Sequence, residues 1–300
     1  MTTQLPLQIL GLSALFLGVG LGYWRWIRPY QGQISRSQQS LLLLVILTLV
    51  GGFVGGLAWW FDVAASFSWD LPALASRMLA AAGWAFAAGC WLALERPSLP
   101  RLRLIILMLF VYLAPLAVAI VLFHLDRFDW NAPITYAFFA IVVPMVLLTI
   151  WHLLHPMGIV AVTEDRPVTG VAKGWLWATA VLTFLWGLAL FLTDAGSSNL
   201  IWVWPGDLLT SRLIAVMLWT LTVTAVYSVH SREALPVALA VMIVYGIGVV
   251  AANLWNPAAI KPLYTVLFAL FAVGSAVIGW QTNRTPREEE FLISAAHHDE

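Results

Sequence analysis

Hydrophobic positions in this chain come in long unbroken runs rather than in alternation. Nine runs stand at about 5–24, 41–61, 73–94, 104–123, 134–154, 174–193, 208–229, 236–253 and 262–280. A helix needs about 20 apolar residues to cross the hydrocarbon core of a bilayer. Strands of a membrane barrel would instead alternate over segments of about ten residues. A helix also satisfies its backbone within one segment, as lipid requires. The pattern predicts an all-α polytopic transmembrane helix bundle of about nine spans.

The polar punctuation repeats. Trp69, Ser76 and Arg77 recur as Trp204, Ser211 and Arg212 at a single offset, each Ser-Arg pair opening a span with an Asp (Asp70, Asp207) before it. Val111-Tyr112 recurs as Val244-Tyr245, and Trp130-Asn131 with Pro133 recurs as Trp255-Asn256 with Pro262. Asp62 and Asp194 close the preceding spans. The order is kept throughout, so the unit is four helices. The expected organisation is 1 + 4 + 4: a first span and basic loop at 1–38, repeat one at 39–155, a linker at 156–173, repeat two at 174–282 and a disordered acidic tail at 283–300. Because four is even, both copies enter the membrane in the same direction. Parallel tandem repeats of this kind relate by an axis along the membrane normal.

The Trp-Pro element followed by a short spacer and an Ala/Ser-Arg pair resembles a group of bacterial polytopic membrane proteins without assigned activity. In that group the pattern is Trp-Pro-Trp, then Leu-Thr, then Ala-Arg. Trp202, Trp204, Pro205, Leu209, Thr210, Ser211 and Arg212 carry the likeness, while the first copy departs from it with Trp69-Asp70-Leu71-Pro72. The resemblance covers the two repeat units and implies architecture alone.

Composition sharpens the class. The chain has 300 residues, 61% hydrophobic and 10% charged, against about 25% charged in soluble domains, which excludes a soluble enzyme. Fifteen basic residues balance fifteen acidic ones, so no net positive charge recruits nucleic acid. The basic residues are unevenly placed. Arg25, Arg28, Arg36, Arg96, Arg101, Arg103, Arg166, Lys173, Arg232, Arg284 and Arg287 fall on one side; Arg77, Arg127, Arg212 and Lys261 fall on the other. The positive-inside rule then places the N-terminus outside and the C-terminus in the cytoplasm, in the inner membrane if the cell is bacterial. The first span has its basic residues after it, the reverse of a secretory signal, and is expected to be retained.

Candidate chemistry is sparse. No charge falls near the centre of a span, which weakens a proton relay or voltage sensor. A lone Cys90 excludes a disulfide framework, and no phosphate loop, HExxH, Gly-x-Ser-x-Gly or CxxC pattern occurs. Neither a cofactor nor a metal is expected. Arg77 and Arg212 stand near helix N-termini, where the macrodipole opposes a cation by about 0.3–1 kcal/mol, so something must offset that. Two readings follow: an anion site for a lipid head group, since the guanidinium fork suits phosphate, or snorkelling toward a local Asp. The candidate ligand-binding residues are Arg77, Arg212, Trp69, Trp204, Trp130, Asn131, Trp255 and Asn256. The chain holds 17 Trp, and an interfacial aromatic belt also accounts for those at the rim.

His152 and His155 share a helix face and would need Glu95, Glu164 or His230 to complete a metal site. Asp126, Asp129 and His124 are the acid/base candidates if the protein is an enzyme on a lipid-linked substrate. Gly51, Gly52, Gly55 and Gly56 form overlapping small-xxx-small motifs for close helix packing. Pro115 and Pro144 each remove a backbone hydrogen bond in spans four and five, so any cavity is expected in the first half. The function expected is binding or transport of a lipid-like or amphipathic molecule near the outer leaflet. The alternatives are a structural or assembly subunit and, last, a membrane enzyme. Membrane lipids are the expected partners, with a second membrane protein or another copy of the chain left open.

Overall fold

The computed structural model describes residues 4–63, 66, 71–162, 165, 167–193, 208–255 and 261–296, with side chains from 9 to 282. The helices are α1 (Gln4–Gly22), α2 (Arg36–Trp60), α3 (Ala73–Glu95), α4 (Leu99–Phe123), α5 (Pro133–Leu154), α6 (Gly170–Leu192), α7 (Leu208–Ser228), α8 (Leu235–Trp255) and α9 (Pro262–Ala296). Among the described residues nine spans are long and apolar enough to cross a membrane. The protein is a multi-pass, all-α membrane bundle.

Two helix starts lie well before their hydrophobic runs, each at a serine N-cap position. Ser35 and Gln38 form a reciprocal capping box that starts α2 at Arg36 rather than near 41. Ser98 with Pro100 in the first turn starts α4 at Leu99 rather than 104. At the other end of the chain, α9 continues as helix to Ala296, where the sequence suggested a disordered tail from 283. Glu288, Glu289 and Glu290 are good helix formers; the side chains there lie outside the described residues.

Burial separates a core from a lipid-facing ring. In α7 and α3, 72% and 67% of the span residues are buried, against 11% in α1 and α5. The helices α3, α4, α7 and α8 therefore form the centre. The principal packing pairs are α2 on α3 and α6 on α7, α4 on α5 and α8 on α9, and across the middle α3 on α8 and α4 on α7. Exchanging α2–α5 with α6–α9 leaves this set unchanged. α1 packs on α2, outside the first half.

Close helix approach rests on small residues, since lipid offers no hydrophobic drive between helices. Gly52 of α2 faces Gly83 of α3 backbone to backbone: a Cβ on Gly83 would stand 2.7 Å from the Gly52 carbonyl oxygen. Gly56 lies under the Trp84 indole and Gly248 of α8 lies on Ala81 of α3. Gly51, one residue from Gly52, faces open space. Gly83→Val should lower stability by about 1–3 kcal/mol through overpacking, while Gly51→Ala should be near neutral. Unfolding titrations in mixed micelles would read both, and equal effects would show that the crossing is not limited by backbone contact.

Candidate functional site

Each Ser-Arg pair ties three helices together. The Ser76 hydroxyl donates to the Trp59 carbonyl at 2.6 Å, linking the start of α3 to the end of α2. The Ser211 hydroxyl donates to the Leu190 carbonyl and, at 3.0 Å, to that of Thr193, linking α7 to α6. Both serines are fully buried. The last carbonyls of a helix lack intrahelical partners, and these hydroxyls supply them.

The arginines reach the other way, into the opposite half. Arg212 of α7 donates to His124 Nε2 at 2.7 Å, just past the end of α4, and its guanidinium lies 4.9 Å from the Phe123 ring centre. Because Arg has no acceptor atoms, Nε2 accepts and the ring proton sits on Nδ1. Arg212 Nε also points to the Phe191 carbonyl of α6 at 3.4 Å. Arg77 of α3 lies 5.9 Å from the ring centre of Trp255, the last residue of α8, and donates to Ala73 O in its own first turn at 3.4 Å. Each cation thus stands at the N-terminus of its own helix and at the C-terminal end of a helix from the other half. The partner's C-terminal dipole and the aromatic face offset the unfavourable position.

A second repeated element lies beneath. Trp84 follows Arg77 by seven residues, and Trp219 follows Arg212 by seven. Trp84 meets Trp60 at 5.1 Å, and Trp219 meets Phe191 at 4.7 Å. The shared offset could have revealed this pair from sequence, but the abundance of Trp hid it.

At the opposite end of the bundle Glu233 joins the two halves. Its carboxylate pairs with Arg101 at 2.8 Å and Arg96 at 3.4 Å, and accepts from Ser98 at 3.1 Å. The α3–α4 turn is thereby fixed to the α7–α8 turn. Nothing in the sequence pattern marked Glu233.

Among the described residues the first half holds a predominantly apolar cavity of about 330 Å³. Its walls come from α2, α3, α4 and α5, with Leu15 of α1 and Leu213 of α7 at its sides. Gly51 and Gly52 leave space on α2, and the exposed Ala137 and Ile141 of α5 border it toward lipid. It lies in the half that carries Pro115 and Pro144. The corresponding seam in the second half is filled by rings: Trp186 of α6 meets Tyr264 and Phe268 of α9 at 5.2 and 6.1 Å, and Trp175 donates to Ser275 at 3.2 Å.

The candidate residues are dispersed relative to this cavity. Trp69, Trp204 and Asn256, with Asp70 and Asp207, lie outside the described residues. Trp130 donates to Leu125 O at 3.1 Å and stacks on Phe139, and Asn131 N–H bonds Asp129 Oδ1 at 2.9 Å, so that loop is folded on itself. Trp255 lies edge-on to Trp60 beneath Arg77. Arg77, Arg212, Trp130, Asn131 and Trp255 are all absent from the cavity wall. Among the described residues no ion pair joins Asp126 or Asp129 to Arg212.

His152 contacts Ser40 Oγ through Nε2 at 3.2 Å, whereas His155 stacks on Trp151 and Glu95 is held by Arg25 and Trp26. Among the described residues no three His, Cys, Asp or Glu side chains gather as a metal site. Compared with family models, with curated proteins and with solved structures, the chain matches none.

The contact between Arg212 and His124 yields a direct test. Arg212→Gln and His124→Ala, made singly and together, should show a coupling of about 0.5–1.7 kcal/mol, the range of hydrogen bonds within membrane bundles. Strictly additive losses would mean that the two side chains do not join the halves.

Proposed function

We propose that this membrane protein binds a lipid-like, amphipathic molecule, with the apolar part of the ligand in the first-half cavity. The observation that carries this reading is the wall itself: among the described residues no Asp, Glu, His, Lys or Arg lines it. Such a space favours hydrocarbon over any polar solute. The space opens toward the bilayer past the exposed Ala137 and Ile141, so hydrocarbon has a lateral route into it. Binding is favoured over passage through the bundle, because the Ser40–His152 contact bridges α2 and α5 beyond one end of the cavity.

The reading places the Ser-Arg end of the bundle at the outer leaflet and the Glu233 end at the cytoplasmic side. Eleven basic residues on the latter side against four on the former support this orientation. The duplicated arginines then serve as clasps between two repeat units, with the ligand beside them.

Two measurements test the proposal. Wild-type protein extracted in mild detergent should retain lipid seen by native mass spectrometry. Gly51→Phe, which fills the cavity without touching a neighbour within 4 Å at its Cβ, should retain at least about tenfold less, a change of about 1.4 kcal/mol. Equal retention would contradict the assignment. For orientation, Asp126→Cys in a Cys90→Ala background should react with an impermeant maleimide on intact cells, and Gln31→Cys only after lysis. The opposite pattern would invert the topology.

A further inference from the structure

Shape narrows what the cavity can hold. Along α4 its wall runs from Leu109 to Ile120, and along α5 from Ile134 to Met145. Both stretches are twelve residues, about 16 Å at the rise of an α-helix. That is about half of the 30 Å hydrocarbon core, the depth of one leaflet. A space of 330 Å³ drawn out over that length is narrow, and its volume suits one unbranched chain rather than a fused ring system. A cavity of about 150 Å³ accommodates one benzene; twice that volume holds a chain of about a dozen carbons.

The two ends differ. Ser66 and Trp59 border the cavity near the Ser-Arg end, beside the exposed Asp62. At the far end the wall closes on Thr48 and Met145. The hydroxyls at both ends are held by their own chain, Thr48 donating to the Leu44 carbonyl at 2.8 Å and Ser66 to the Val63 carbonyl at 2.6 Å. Two turns beyond Thr48 and Met145, Ser40 and His152 join α2 to α5. The bore therefore reaches the level of lipid head groups at one end and is blind near the bilayer midplane at the other.

Resting on the proposal of lipid binding, we infer that the cavity holds one unbranched acyl chain of a lipid from the leaflet on the Ser-Arg side. The head group stays at Ser66 and Trp59, and the chain's methyl end reaches the floor formed by Thr48 and Met145. The ligand keeps the direction it has in the bilayer. It enters sideways past Ala137 and Ile141 of α5, the exposed residues of the wall.

Depth-resolved photolabelling tests this with full-length protein in nanodiscs. Two phosphatidylcholines are used, carrying a diazirine close to the carboxyl or close to the methyl end of one chain, together with a rigid diazirine sterol. The carboxyl-side probe should label Ile134 or Ala117, and the methyl-side probe Met145 or Leu109. Sterol labelling of the cavity should be at least about tenfold weaker. Gly51→Phe should abolish both chain labels, and Thr48→Phe, which raises the floor, should remove the methyl-side label while sparing the carboxyl-side one. A reversed order of labels would overturn the direction, and strong sterol labelling would overturn the single-chain bore. In either case, loss of the label in Gly51→Phe would leave lipid binding standing. Labels unaffected by Gly51→Phe would overturn the direction, the bore and the lipid-binding proposal together.

Discussion

A cation at the N-terminus of a helix stands at the wrong end of that helix's dipole, and Arg77 and Arg212 take that place in the two halves of the bundle. Arg77 and Arg212 are each compensated by the C-terminal end of a helix from the other half: α8 with Trp255 for the first, α4 with Phe123 and His124 for the second. Arg212 also has a partner in its own half, the carbonyl and ring of Phe191 of α6 at 3.4 and 5.4 Å. The serine beside each arginine meanwhile closes the carbonyls at the end of the helix before it. Six helix ends are thereby organised by two dipeptides, and Glu233 repeats the inter-half link at the opposite end through Arg96 and Arg101. The central helices α3, α4, α7 and α8 owe their arrangement to these ends and to the small residues that let them approach.

On this balanced frame the two halves are filled unequally. α6 carries Trp175 and Trp186, whose rings reach α9 and occupy the seam. α2 carries Gly51 and Gly52 at mid-helix, and nothing replaces those rings, so the seam toward α5 stays hollow. Gly52 is required for contact with Gly83, whereas Gly51 serves the void. One glycine pair thus makes both a backbone-to-backbone helix crossing and the open wall of the cavity. The inequality supports a division of labour in which the second half is scaffold and the first half binds.

Much of the fold was legible in the sequence, for physical reasons. Membrane spans are long and continuous because lipid demands complete backbone satisfaction, so all nine showed in the hydrophobic runs. Helix starts were less legible where polar residues precede the apolar run, as with the Ser35 capping box of α2 and the Pro100 first turn of α4. The Ser-Arg repeat was visible, but not its partners, because His124 and Trp255 come together with the arginines only through the packing of α4 on α7 and α8 on α3. The cavity was hinted at by Pro115 and Pro144 in the first half. Its place was not legible, because a void is defined by side chains that fail to meet. The rim residues drew attention through their polarity, while the wall is made of Leu, Ile, Gly and Phe that resemble every other core position.

The most direct measurement is an electron cryo-microscopy map of the protein in lipid nanodiscs, read at the α2–α5 seam. The account predicts a single tube of density, one chain wide, from the level of Ser66 to Thr48 and Met145, with the α6–α9 seam filled by Trp175 and Trp186. A map in which α5 lies closed on α2, with no density between them, would contradict it.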